Sequence, residues 1–190
     1  MVQPANTERN NGLYRWLSSP LVYDSYQALV GGKQCRKKVV QEYGPKIANA
    51  KILDIGCGTG YVLDYLPQDV DYVGYDLSED YIEKAKKKYG HRAQFFCQRV
   101  SHLNLEGAGT FDFVIATGVV HHLNDKEAAA LYQLGFQALK AGGKMVTEDG
   151  TFIPNQNWFA KFIIKNDRGC LLYTSPSPRD ATLSRMPSSA

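Results

Sequence analysis

The stretch Lys51-Ile52-Leu53-Asp54-Ile55-Gly56-Cys57-Gly58-Thr59-Gly60 decides how this chain is read. Lys51 to Ile55 has the apolar character of a short buried strand, and the glycines after it let the backbone turn sharply into a helix expected from about Gly60 to Leu66, which Pro67 stops. Glycines at such a turn also let a ligand approach main-chain N–H groups that a Cβ would shield. The spacing is G-x-G-x-G rather than the G-x-G-x-x-G of dinucleotide-binding folds, and Asp54 stands two residues before the first glycine. A carboxylate there repels a pyrophosphate and suits an ammonium group. About twenty residues further on, Asp76 ends a second strand, Asp71 to Tyr75, where an acid can accept both hydroxyls of a ribose. An acid for an amine, glycines for close approach and an acid for a ribose together describe an aminoacyl nucleoside.

Outward from this stretch, short apolar runs alternate with amphipathic segments in the rhythm that builds a parallel sheet with helices on both faces. Ser78 is placed to cap a helix from Glu79 to Tyr89, with Gly90 as its stop. Ala93 to Cys97 reads as a third strand and Phe111 to Ala116 as a fourth. A loop containing His121 and His122 leads to a helix from about Asp125 to Leu139, stopped by the turn Lys140-Ala141-Gly142-Gly143, after which Lys144 to Glu148 reads as a fifth strand. Upstream, Leu13 to Val30 and Gln34 to Tyr43 read as two helices separated by Gly31-Gly32.

In this order, the glycine stretch, Val73-Gly74-Tyr75-Asp76-Leu77-Ser78, Phe111-Asp112-Phe113-Val114-Ile115-Ala116-Thr117-Gly118-Val119-Val120-His121-His122-Leu123 and the Ala-Leu-Lys-Ala-Gly-Gly-Lys turn resemble the class I S-adenosylmethionine-dependent methyltransferases of the small-molecule branch. The resemblance covers about Lys51 to Glu148. It implies an α/β, Rossmann-like three-layer sandwich with a mostly parallel sheet, and S-adenosyl-L-methionine as cofactor. Carried over by position, Asp54 and the loop Gly56, Cys57, Gly58 and Gly60 would hold the methionine moiety, Asp76 and Leu77 the ribose and one adenine face, and Thr117 would line the site from strand four. Many relatives place an Asp after strand three against the adenine amino group. Arg99 stands there in this chain, and an Arg cannot accept from an amino group, so that contact is expected of the backbone near Val100.

Methyl transfer from a sulfonium is an in-line displacement with a neutral leaving group, so alignment and exclusion of water are the main demands. A base is needed only where the acceptor arrives protonated. His121 and His122, after strand four at the carboxyl edge of the sheet, are the candidate catalytic residues. Packing beside the cofactor is the commoner role of such a His-His-Leu stretch, and the sequence does not choose between the two histidines. Tyr14, Tyr23 and Tyr26 either lid the site or belong to the core. Ala116-Thr117-Gly118-Val119 stands where enzymes that methylate nucleic-acid bases carry an Asn/Asp-Pro-Pro-aromatic loop, which disfavours nucleic acid as a partner and leaves a small-molecule acceptor, with O-methylation ranked ahead of C- or N-methylation. The alternatives are an NAD-dependent oxidoreductase on a Rossmann sheet, opposed by the glycine spacing and Asp54, and a non-catalytic nucleoside-binding module.

Composition agrees with a folded domain. The 190 residues carry 22 Lys+Arg and 19 Asp+Glu, a net +3 with neutral histidines, too small an excess to indicate a nucleic-acid partner. No apolar run approaches the length of a membrane span and the first residues lack a secretory h-region, so a cytoplasmic location is expected. The four cysteines lie far apart without metal-ligand spacing, so no metal site is expected. The oligomeric state is left open. Residues 1–50 read as an N-terminal helical segment, 51–169 as an incomplete cofactor-binding domain, and 170–190 as a non-native tail. From Cys170 the back-translated sequence resembles a transposase-type sequencing adapter read in frame, with Ala181-Thr182-Leu183 where its variable index would fall. The terminal strands that usually complete such a sheet are therefore expected to be missing. A natural Ser/Pro-rich tail is the other reading that composition permits.

Overall fold

Ile52, Leu53 and Ile55 are fully buried, so this strand presents apolar side chains on both faces and belongs in the middle of a parallel sheet. The computed structural model, which describes residues 32–98, 109–149 and 158, places it there. A helix α1 (Gly32–Tyr43) precedes strands β1 (Lys51–Ile55), β2 (Asp71–Asp76), β3 (Ala93–Cys97), β4 (Phe111–Thr117) and β5 (Leu139–Glu148). Helix α2 (Glu79–Tyr89) joins β2 to β3, and α3 (Asp125–Ala138) lies between β4 and β5. The strand order is β3-β2-β1-β4-β5, and every pairing is parallel. The chain builds outward from β1 on one side through β3, then crosses back so that β4 pairs with the other side of β1. That reversal opens a crevice at the carboxyl ends of β1 and β4, where open α/β sheets bind ligands.

Two apolar clusters make the sandwich. On one face Ile52, Tyr72, Phe95, Phe113 and Ile115 pack with Val39 and Val40 of α1 and with Ile82, Ala85 and Tyr89 of α2. On the other, Leu53, Ile55, Val114 and Ala116 pack with Leu131 and Ala138 of α3. Each large apolar side chain so buried contributes about 1.5–3 kcal/mol relative to exposure. Helix α2 buries Ile82, Ala85 and Tyr89 at helical spacing, and its charges run with its dipole, Glu79 and Asp80 in the first turn and Lys86, Lys87 and Lys88 in the last. Helix α3 starts in a capping box in which the Asn124 side chain accepts from the Glu127 N–H and the Glu127 carboxylate from the Asn124 N–H. Gly135 is a close-approach position, because a Cβ there would lie 2.6 Å from the Met145 sulfur on β5.

The strand expectations hold within one residue at all but β5, and two local expectations are corrected. The helix expected from Gly60 to Leu66 is a single 3-10 turn, Tyr61–Asp64, entered from Gly60 in the left-handed region and ended before Pro67. Gly90 ends α2 as expected, in right-handed conformation at φ −61°. The Lys140–Gly143 segment is a bulge inside β5 rather than a turn before it. Leu139 already pairs with Phe111 and Lys144 with Phe113, so four residues stand opposite Asp112 alone. Asp112 fastens this end of the sheet, accepting the Lys51 N–H at 2.9 Å and pairing with Lys140 across the bulge. The expected helix Leu13 to Val30, the three tyrosines on it, Arg99, Val100 and the 170–190 tail lie outside the described residues.

Candidate functional site

At the carboxyl end of β1 the chain buries an acid. Asp54 is 3% exposed, its Oδ2 accepts the Tyr72 hydroxyl at 2.5 Å, and its Oδ1 has no hydrogen-bond partner among the described residues. Burial pushes its carboxyl up to about 7, against the downward pull of the Tyr72 hydrogen bond and the Arg36 charge and with a smaller upward push from Asp76.

The loop after Asp54 is held from beneath by the end of β2. Gly56 N–H and Cys57 N–H both donate to the Tyr75 carbonyl, at 2.7 and 3.0 Å. Gly58 N–H donates to Asp76 Oδ2 at 2.8 Å, and Ser78 N–H to Asp76 Oδ1 at 2.9 Å. Gly56, Gly58 and Gly60 stand at φ 77°, 55° and 78°, a conformation that side chains with a Cβ rarely adopt. A Cβ on Gly58 would project into open space, whereas one on Gly60 would meet Tyr89 and Phe95. The loop therefore packs against Val119 at Gly56 and against the core at Gly60, and lies open at Gly58 between them. The Cys57 thiol packs into the core beside Gly74, and burial raises it well above its ordinary value, so it stays protonated. Burial also raises the Asp76 carboxyl, partly offset by its backbone donors. Leu77, directly after it, is 57% exposed.

Across the crevice, Thr117 ends β4 and accepts from Arg36 Nε of α1 at 3.0 Å. A 3-10 turn, Val120–His122, then places His121 and His122 differently. His121 is buried, with Nδ1 2.5 Å from Asp149 Oδ1 and its backbone N–H 3.3 Å from the same oxygen. His122 is exposed, and its ring centroid lies 4.0 Å from that of His121. Asp54, the glycine loop, Asp76, Leu77, Thr117 and the two histidines thus share the carboxyl edge of β1, β2 and β4. Sequence reasoning missed Tyr72, Arg36 and Asp149. Among the described residues no group of three or more His, Cys, Asp or Glu side chains is arranged to hold a metal, and no helix is long and apolar enough to cross a membrane.

A family model described as a methyltransferase domain matches residues 52–143, from β1 to the β5 bulge. Over that stretch the chain matches the methyltransferase-domain family, and its fold is that of S-adenosylmethionine-dependent methyltransferases of known structure. Among its relatives, phosphoethanolamine N-methyltransferase 1 of Triticum aestivum is 32% identical over 123 residues, 63% of this chain and 24% of that protein. A malonyl-[acyl-carrier protein] O-methyltransferase of Legionella pneumophila is 39% identical over 80 residues, 40% of this chain and 28% of that protein. The chain thus spans about a quarter of the length of these curated relatives. The structure of Haemonchus contortus phosphoethanolamine N-methyltransferase 2 in complex with S-adenosyl-L-methionine shares the fold at TM-score 0.68 and 19% identity, over 91% of this chain and 43% of that one. S-adenosyl-L-methionine, the ligand of that Haemonchus structure, carries an ammonium group and a ribose, and the residues present fit both. The open oxygen of Asp54 is a buried acceptor for a cationic donor, the space above Gly58 admits a ligand against the loop, and Asp76 keeps acceptor capacity beyond its two backbone donors.

Proposed function

We propose that the chain binds S-adenosyl-L-methionine in the β1–β4 crevice and transfers its methyl group to a small-molecule acceptor. The observation that carries this reading is Asp54, a buried acid with one oxygen that has no hydrogen-bond partner among the described residues, beside a glycine loop that is open at Gly58. Asp54 and the Gly56–Gly60 loop hold the methionine end, Asp76 the ribose, Leu77 one adenine face, Thr117 the wall on β4, and the backbone near Val100 the adenine edge. Residues 51–169 form the cofactor domain of this reading, and the unpaired thiols of Cys57 and Cys97 agree with a reducing, cytoplasmic location.

When bound, the cofactor supplies an electrophilic methyl group on a sulfonium, whose departure as a thioether needs no acid. The protein's work is to align the acceptor and exclude water. O-methylation is the favoured reaction, because a hydroxyl acceptor must lose a proton and His121 stands at the crevice as a base. An ionised Asp149 accepts from Nδ1–H, which leaves Nε2, itself buried, as the atom that would take the proton. His122, exposed beside it, is the second candidate.

Calorimetry with S-adenosyl-L-methionine and NAD, followed by transfer of a labelled methyl group to a panel of small phenols, hydroxy acids and amines, tests this function. Heat with NAD alone overturns it, and cofactor binding without transfer to any acceptor identifies a nucleoside-binding module. At saturating cofactor, His121→Ala should lower turnover about 10²- to 10⁴-fold with affinity retained. Loss of affinity with turnover intact would assign the histidine to packing.

A further inference from the structure

Asp54 is held by one hydrogen bond to a side chain that is itself almost fully buried. Tyr72, on the neighbouring strand β2 and 1% exposed, points its hydroxyl across the sheet face to Oδ2 at 2.5 Å. A tyrosine in that core costs the burial of its hydroxyl, and phenylalanine would fill the same volume without that cost. The carboxylate is the only acceptor among the described residues that the hydroxyl bonds.

We propose that Tyr72 is a positioning residue for the cofactor's ammonium group: by donating to Oδ2 it locks the Asp54 carboxylate with Oδ1 towards the crevice and favours the ionised acid that an ammonium requires. The inference rests on the cofactor reading above. The charged and titratable groups that act on Asp54 are Arg36 from α1, which also favours ionisation, Asp76 at the end of β2, which opposes it, and Tyr72 and Cys57, both of whose own ionisations are suppressed by burial. Burial wins against the two favourable contacts, so the acid titrates near neutrality and cofactor affinity becomes pH-dependent.

The ligand's ammonium, beside a carboxylate rather than a peptide carbonyl, loses its own proton well above the α-amino value of about 8 for a chain terminus. Affinity should therefore rise with pH through the Asp54 titration and fall again as the ligand amine deprotonates. Removing a hydrogen bond to the charged form raises an acid's pKa. In Tyr72→Phe the acidic limb of the affinity profile should move up by about one pH unit while the alkaline limb stays in place. A role in packing alone would lower affinity equally at every pH.

The test is S-adenosylhomocysteine binding by calorimetry across pH on the full chain, wild type, Tyr72→Phe and Asp54→Asn, with the Asp54 carboxyl followed directly by infrared titration of the ligand-free protein. The expected result is a shifted acidic limb in Tyr72→Phe, a matching shift in the infrared midpoint, and no acidic limb in Asp54→Asn. Identical limbs and midpoints in wild type and Tyr72→Phe overturn the proposal. If the infrared midpoint shifts but no variant binds at any pH, the coupling of Tyr72 to Asp54 stands and the cofactor reading falls. Should Tyr72→Phe fail to fold, an acidic limb that persists in Asp54→Asn overturns the proposal.

Discussion

Replacing Asp54 with Asn keeps the shape of the side chain and an acceptor for the Tyr72 hydroxyl but removes the ionisable group. Because burial raises this carboxyl to about 7, the native state keeps a proton that the unfolded chain gives up at about pH 4. The group's contribution to stability is therefore full below about pH 4 and is lost as pH rises to about 7. Asp54→Asn escapes that loss and should be more stable than wild type by on the order of 1–3 kcal/mol above pH 7, a margin that narrows towards pH 4 in urea unfolding. A margin that does not change with pH would remove the buried acid from the account. Asp76→Ala should weaken cofactor binding roughly ten- to a hundredfold, because a charge-assisted contact is worth about 1.5–3 kcal/mol. Asp112→Ala should leave affinity unchanged, since Asp112 ties Lys51 and Lys140 at the other end of the sheet. Equal affinities for wild type and a folded Asp76→Ala would end the ribose assignment. Asp54, the glycines and Asp76 were legible in the sequence because their spacing along the chain carries the signal. Arg36 and Asp149 were not, because each meets its partner, Thr117 or His121, across 81 and 28 residues of sequence, and neither stands in a pattern of its own.

Helix α3 follows directly from the turn that carries the two histidines, and its capping box fixes where that turn stops. Asn124→Ala removes the side-chain acceptor of two backbone N–H groups and should cost about 1 kcal/mol, read as a lower melting temperature with cofactor affinity retained. No change in melting temperature would mean that water replaces the cap without loss. Strands β1 and β4 and the helices α2 and α3 were readable because burial on two faces and helical periodicity leave marks in any short window. The 3-10 turn after Gly60 and the bulge in β5 were not. An apolar segment as short as Tyr61–Asp64 has no period to read, and Lys140-Ala141-Gly142-Gly143 has the composition of a turn whether it ends a strand or swells one.

At the scale of the molecule, the proposed site links cofactor binding and stability through one proton. A ligand that binds the native state at a hundred times its dissociation constant stabilises it by about 2.7 kcal/mol. With the Asp54 carboxyl protonated the ammonium loses its partner, so S-adenosylhomocysteine at fixed concentration should raise the melting temperature more at about pH 7.5 than at about pH 5. An equal rise at both pH values would separate the ligand from that acid. The strand order has a further consequence, in time rather than in energy. Lys51 meets Asp71 after about twenty residues of chain, and β2 meets β3 at a similar separation, whereas Ile52 meets Phe113 only after about sixty. Loop closure makes the shorter pairings the faster ones. The β1–β2–β3 half should therefore be organised in the transition state for folding, with Val73 giving a high φ-value and Val114, across the β1–β4 seam, a low one. The crevice lies along that late seam. A nascent chain would carry its acid and glycine loop assembled while the opposite wall is still absent, and the pocket would come into being as the last strands dock.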